Sequence, residues 1–263
     1  MAGRGILFDL DGVLYVGGAP VPGAADALRW VRERGIPHLF VTNTSSRPRT
    51  AIVEKLASFG VGVEAERLLT PAVVAAQWLR QKPPGPLALF VPEATEAEFA
   101  EFPLLAADAQ SGAAAVVVGD LGQGWSFARL NRAFRLLMAQ PPPALLALGM
   151  TRYWRADDGL RLDTGAFVQA LVYASGASPI VTGKPAPTFF QAAARELGLD
   201  PASLVMIGDD IRGDIQGAQG AGLAALLVRT GKFSPRDLGL GVEPEGVLDS
   251  VADLPSWWAR QGE

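Results

Sequence analysis

The sequence predicts an α/β protein: a doubly wound parallel sheet with helices on its faces and a second, inserted α/β module. Three observations point there. Apolar runs at 5–10, 37–42 and 204–207 alternate with helical segments, which is the grammar of βαβ units. That grammar breaks around 81–86, where the chain reads QKPPGP, and resumes at 182–185, TGKP. A length of 263 residues accommodates one large unit or a core plus a second module.

Taken in order, the first strand covers 5–10 and is followed by a helix over 24–33 that stops at Gly35. A strand at 37–42 leads to a helix at 49–59 ending at Gly60. Thr70 is placed to cap the next helix, with Pro71 at its first position, where a missing N–H costs nothing. The interrupted region has its own strand (113–118), helix (126–139), a proline stretch (141–143) and a further helix (166–173). The first grammar returns with a helix ending near Leu197 and the strand at 204–207. These spans divide the chain into a core, 1–77 and 180–263, and an insertion, 78–179. Asp157, Asp158 and Gly159 read as a turn between Trp154 and Leu162, and the run 217–222 (GAQGAG) as a small-residue packing face. Trp257 and Trp258 read as the anchor of a last helix.

Composition excludes several function classes. With 49% hydrophobic and 19% charged residues, the chain can bury a sizeable core. A net charge of −4 without long single-sign runs provides no footprint for nucleic acid or anionic lipid, so small-molecule partners are expected. Zero cysteines remove disulfides, thiolate zinc sites and thiol nucleophiles, and fit a reducing, cytoplasmic setting. Neither a signal peptide nor an apolar run of about 18 residues is present, so no membrane span is expected. The single histidine, His38, lies inside an apolar strand and reads as structural, which leaves acid-base and metal chemistry to carboxylates.

Four segments carry candidate chemistry. In Phe8-Asp9-Leu10-Asp11-Gly12 two carboxylates end an apolar strand ahead of a glycine that permits a sharp turn. Polar turn residues at a strand end are the ordinary alternative. Val205-Met206-Ile207-Gly208-Asp209-Asp210 again delivers acids from an apolar strand, with Asp214 four residues beyond Asp210. If both strands share one parallel sheet, Asp9, Asp11 and Asp209 meet at one edge, where crowded carboxylates repel and a hard cation such as Mg²⁺ relieves them. Thr42 and Asn43 at another strand end, and Lys184 in Gly183-Lys184-Pro185, can bind phosphate oxygens, although such residues also serve as helix caps or solvated surface.

Together FDLDGVLY, VTNTSSRP, VTGKPAPTFF and MIGDDIRGD resemble, in order and context, the four motifs of the haloacid dehalogenase superfamily. The resemblance spans almost the whole chain and is specifically to the subgroup with a large α/β cap between the second and third motifs. It implies a Rossmann-like core with Asp9 as nucleophile and Asp11 as proton donor and then base. It implies Mg²⁺ held by Asp9, Asp209 and the Asp11 backbone carbonyl, with Asp210 and Asp214 in support. Thr42, Asn43 and Lys184 would hold the phosphoryl group, and 13–18 would form a turn and flap beside the nucleophile. A glycine at 213 departs from the threonine of many cap-bearing relatives and puts local hydrogen bonding in question.

The implied activity is a phosphatase on a small phosphorylated molecule, phosphoamides and pyrophosphate included, and the resemblance also implies a homodimer. Arg152, Tyr153 and Trp154 are the candidates for substrate choice, against the plain reading of aromatic core residues beside a solvated arginine. A phospho-accepting receiver domain and an idle scaffold of the same fold remain as alternatives. The insertion and the acid at 11 weigh against the first, the complete set of acids against the second.

Overall fold

The computed structural model describes residues 4–156 and 158–261, so Asp157, at the expected turn, lies outside them. The chain forms two compact units: residues 1–42, 49–69 and 184–263, and residues 43–48 and 70–183.

The first unit is built on a six-stranded, wholly parallel sheet. Its strands run across the sheet as Leu68–Leu69, His38–Val41, Gly5–Asp9, Leu204–Gly208, Ala224–Val228 and Gly246–Leu248. Numbered along the chain this is 3-2-1-4-5-6, the doubly wound order, in which the direction of winding reverses between Gly5–Asp9 and Leu204–Gly208. Both strands at that reversal are buried along their full length, which is why their sequences are continuous apolar runs rather than alternating ones. Successive side chains point to opposite faces. Ile6, Phe8, Phe40, Val205 and Ile207 join a core with Leu28 and Val31 of the helix Ala24–Glu33, Leu56 of Arg49–Ser58 and Trp257 of Leu254–Arg260. On the other face the helix Pro187–Leu197 meets the strand His38–Val41. His38 plays the structural part expected of it, with Nδ1 2.9 Å from the Ile36 carbonyl and its ring edge-on to Phe8 and Phe40.

The second unit has a four-stranded parallel sheet of Pro179–Val181, Ala144–Ala147, Ala115–Val118 and Leu87–Phe90, with an apolar cluster on each face. The helix Pro71–Leu79, capped by the Thr70 hydroxyl as its sequence predicts, belongs here, because Ala72, Ala75, Ala76 and Leu79 pack with Leu87, Val91 and Phe99. The helix therefore runs through the 77/78 position. Ser126 and Asp163 cap the helices Phe127–Leu137 and Thr164–Ser175, and Gly176, at φ 72°, ends the latter in the left-handed conformation that glycine adopts without strain. An antiparallel hairpin, Tyr153–Ala156 with Gly159–Leu162, completes the unit. No helix among the described residues is long and apolar enough to cross a membrane.

Candidate active site

The site grows from the point where the sheet reverses its winding, the place open α/β sheets leave free for ligands. Asp9 ends its strand, and the register that pairs Phe8 with Ile207 brings it beside Gly208, so that Asp209 follows on the neighbouring strand. Lys184, delivered just ahead of the helix Pro187–Leu197, places its Nζ 2.7 Å from Asp9 Oδ1 and 2.6 Å from Asp214 Oδ1. Asp9, Asp209 and Asp214 are all buried, and each offers an oxygen within 4.8 Å of the others.

Local backbone bonds explain the arrangement. After Asp9 the chain turns at once: the Leu10 carbonyl accepts from the N–H of Leu14 at 2.9 Å, and Gly12 N–H donates to the Tyr15 carbonyl at 2.7 Å. This turn leads into the small hairpin of Tyr15–Val16 and Ala19–Pro20 and leaves Asp11 exposed upon it. At the other strand end, Asp210 Oδ1 accepts from the N–H groups of Arg212 and Gly213 at 3.0 and 2.8 Å, capping the π-helical turn Ile211–Gln216. The glycine at 213 thus still supplies its backbone donor. Asp210 N–H in turn reaches Asp214 Oδ2 at 3.2 Å, which fixes Asp214 toward Lys184.

Burial dominates the electrostatics. It raises Asp9 above the ordinary aspartate range; the Lys184 ammonium opposes this and the Asp209 charge adds to it. Burial also pushes Asp209 up to about 6, against the Lys232 N–H bond. Asp214 rises to about 6 through burial and the Asp9 charge, against Lys184. Burial would lower Lys184, but Asp214 and Asp9 outweigh it and hold the ammonium charged. Asp210 moves the other way: its loss of water is outweighed by the Gly213 N–H, the Lys232 charge and the Arg212 N–H, and it sits below the ordinary range. Three buried carboxylates therefore share one buried ammonium, an excess of negative charge that a divalent cation would neutralise.

The donor set fits such a cation. Asp209 Oδ1 is buried without a hydrogen-bond partner, whereas Oδ2 of the same group accepts from Lys232 N–H at 2.7 Å. A buried carboxylate oxygen without a partner is costly, and a cation is the partner that suits it. Both oxygens of Asp214 are already engaged, by Lys184 and by Asp210 N–H, so Asp214 is better placed to hold the lysine than to ligate.

Of the residues singled out in the sequence, Asp9, Lys184, Asp209, Asp210 and Asp214 meet in one cluster. Thr42 is buried in the same unit, its N–H bonded to the Leu69 carbonyl at 3.2 Å. Asn43 belongs to the second unit, where its side chain lies beside Gly183. So do Arg152, Tyr153 and Trp154, all exposed at the start of the hairpin. The plain alternative of core aromatics therefore does not hold for Tyr153 and Trp154, which are 51% and 42% exposed. Sequence reasoning did not single out Thr230, Gly231 and Lys232 as site residues. Their signal was a Thr-Gly-Lys step one residue beyond a buried strand, at the same edge of the sheet that delivers Asp9 and Asp209.

Comparison with known proteins agrees with this fold. Residues 6–102 match the family model described as haloacid dehalogenase-like hydrolase, and residues 181–254 one described as HAD-hydrolase-like. The phospholysine phosphohistidine inorganic pyrophosphate phosphatase of Rattus norvegicus is 37% identical over 255 residues, covering 95% of this chain and 92% of that protein. Among solved structures, a p-nitrophenyl phosphatase from Archaeoglobus fulgidus superposes with TM-score 0.88 at 27% identity, over 97% of this chain and 99% of that one. A glycerol phosphate phosphatase from Mycobacterium tuberculosis, solved in complex with calcium, superposes with TM-score 0.82 at 29% identity, over 96% of this chain and 74% of that one.

Proposed function

The chain belongs to the haloacid dehalogenase-like hydrolase family, and from that premise we propose that it is a magnesium-dependent phosphatase acting on a small phosphorylated metabolite through an aspartyl phosphate on Asp9. The observation that carries the reading is the buried cluster of Asp9, Asp209 and Asp214 around Lys184, at the point where the sheet reverses.

In the first half-reaction an Asp9 carboxylate oxygen forms a bond to phosphorus while the bond from phosphorus to the leaving group breaks. Asp11, held on the exposed turn two residues on, gives its proton to the departing atom. In the second, Asp11 takes a proton from water, the water oxygen bonds to phosphorus, and the acyl phosphate bond breaks to return Asp9 and release phosphate. Lys184 spreads the charge of Asp9 and of the transferring group, and Asp214 holds the lysine in place. Thr42 and Asn43 are assigned to the phosphoryl oxygens. Asp9, Asp209 and the Asp11 carbonyl would hold Mg²⁺, which supplies charge neutralisation between nucleophile and phosphate.

Substrate choice is assigned to the second unit, with Arg152, Tyr153 and Trp154 as the contacts. The similarity to a phospholysine and phosphohistidine phosphatase puts phosphoamides and pyrophosphate first among substrates to try. The cysteine-free composition supports a reducing, cytoplasmic setting, and the near-balanced charge supports small molecules over nucleic acid.

Phosphate release from p-nitrophenyl phosphate, pyrophosphate and phospholysine, with Mg²⁺, with EDTA and with Asp9→Asn, tests this reading. The expected result is release that needs Mg²⁺ and vanishes in the variant. Release that persists in Asp9→Asn would overturn the covalent mechanism, and no release from any of the three by folded, Mg²⁺-saturated protein would count against the phosphatase.

A further inference from the structure

The segment Thr230-Gly231-Lys232, just beyond the strand Ala224–Val228, touches both halves of the acid cluster at once. The Thr230 hydroxyl donates to the Gly12 carbonyl, one residue past Asp11, on the turn that follows the nucleophile. Lys232 N–H donates to Asp209 Oδ2 at 2.7 Å. Between these two bonds Gly231 lies so close to Gly12 and Asp209 that a side-chain carbon at 231 would collide with the Gly12 backbone and the Asp209 carboxylate. Gly12 makes the reciprocal demand, since a carbon there would overlap the same carboxylate. Both glycines also have positive φ, 90° at Gly12 and 69° at Gly231, which other residues adopt only with strain.

We infer that Thr230, Gly231 and Lys232 form a strap that clamps the Gly12 turn to Asp209 and so sets the divalent-cation site before the cation arrives. One end of the strap occupies Asp209 Oδ2 and leaves the unpartnered Oδ1 as the oxygen that would hold the cation. The other end holds the Gly12 carbonyl, one peptide beyond that of Asp11, and so anchors the turn on which the Asp11 carbonyl lies. Because Lys232 acts here through its backbone N–H, its side chain is free to serve elsewhere, and it points to Asp210 at 3.5 Å. Thr230 is therefore a positioning residue that acts through its single hydroxyl. The inference rests on the reading of Asp209 as a cation ligand, and not on which phosphorylated compound is cleaved.

Isothermal titration of Mg²⁺ into the full chain without substrate reads the strap directly, alongside thermal unfolding to establish that each variant is folded. Thr230→Val keeps the shape and removes the donor, and it should weaken Mg²⁺ binding by about tenfold, the lower end of what loss of an outer-shell partner costs a metal site. Thr230→Ser restores the donor and should return the affinity to within about twofold of wild type. If turnover is absent in every protein but this ranking of affinities holds, the strap stands while the phosphatase reading falls. A folded Thr230→Val with wild-type affinity overturns the strap, as does a Thr230→Ser no better than Thr230→Val. A wild-type protein that binds no Mg²⁺ overturns it as well.

Discussion

Lys184 Nζ lies 2.6 Å from Asp214 Oδ1, a buried ion pair that also holds the ammonium against Asp9. Removing one partner of such a pair leaves uncompensated charge in a dry place and costs about 3–5 kcal/mol of stability. Lys184→Met should therefore destabilise the protein by about that amount near pH 7.5 in urea unfolding without divalent cation. Mg²⁺ should restore part of the loss, because it neutralises the same carboxylates. Turnover should fall by about 10²-fold or more, as expected when one charge-stabilising group is removed. A variant as stable as wild type would show that Asp214 and Asp9 do not carry the charge assigned to them.

Asp209 and Asp214, each pushed up to about 6, make cation binding pH-dependent. A carboxyl whose folded pKa is raised favours the folded state at low pH, and that contribution is lost as pH rises through about 6, when the group must ionise in place. A divalent cation needs the ionised form, so below about 6 it competes with protons. Mg²⁺ should raise the melting temperature most at pH 7.5 and progressively less from pH 6.5 to pH 5. The apparent Kd should rise by about one power of ten per pH unit below about 6, for the proton displaced from Asp209. An affinity unchanged between pH 7.5 and pH 5 would mean that these two carboxylates are not protonated where the cation binds.

Much of this site was legible in the sequence because its parts sit at strand ends, where an apolar run fixes both the strand and the edge that presents the next residue. Asp9 and Asp209 are of this kind, and their convergence needed only that the two strands lie in one parallel sheet, which they do as neighbours. Lys184 was recognisable only by motif, since nothing in a lone lysine announces two buried carboxylate partners. Asp214 was expected to support the site. That it pairs with Lys184 depends on a turn whose π-helical geometry the sequence does not announce. The Thr230 strap was missed for the opposite reason. It acts through one hydroxyl and a backbone N–H, groups too common along the chain to mark a site, and only the approach of Gly231 to Gly12 gives them meaning. In the second unit, the short strands Leu87–Phe90 and Ala144–Ala147 follow proline-rich stretches that read as breaks.

Two glycines, one on the turn after Asp9 and one in the hairpin loop beyond it, separate strain from steric exclusion. Gly12 and Gly17 both have positive φ, at 90° and 58°, but a carbon at 12 would overlap the Asp209 carboxylate whereas at 17 it would meet open space. Gly17→Ala should cost about 1 kcal/mol from backbone strain alone and leave Mg²⁺ affinity intact. Gly12→Ala should cost more and displace Asp209, with Mg²⁺ affinity falling about tenfold or further. Chemical denaturation and Mg²⁺ titration of both variants give the comparison. Equal loss of affinity in the two would show that flexibility of the turn, and not room for Asp209, is what the glycines provide.

Tyr153 and Trp154 allow a cleaner test of substrate choice than buried aromatics would. At 51% and 42% exposure they contribute little core packing, so truncation to alanine should change stability by less than about 1 kcal/mol. The guanidinium of Arg161 lies 5.8 Å from the Trp154 ring and is bound to Asp158 at 2.8 Å, so Trp154→Ala also removes one weak cation–π contact and no buried partner. Any large effect on catalysis must then come from something other than lost core packing. If these side chains choose the substrate, Tyr153→Ala and Trp154→Ala should lower kcat/KM for the preferred phosphoamide or pyrophosphate about tenfold or more. They should change Mg²⁺ affinity little, because the cation ligands belong to the other unit. Steady-state kinetics on two substrates of different shape distinguishes the cases. A uniform loss on both would assign the residues to closure over the site, and no loss on either would return the hairpin to a plain surface role.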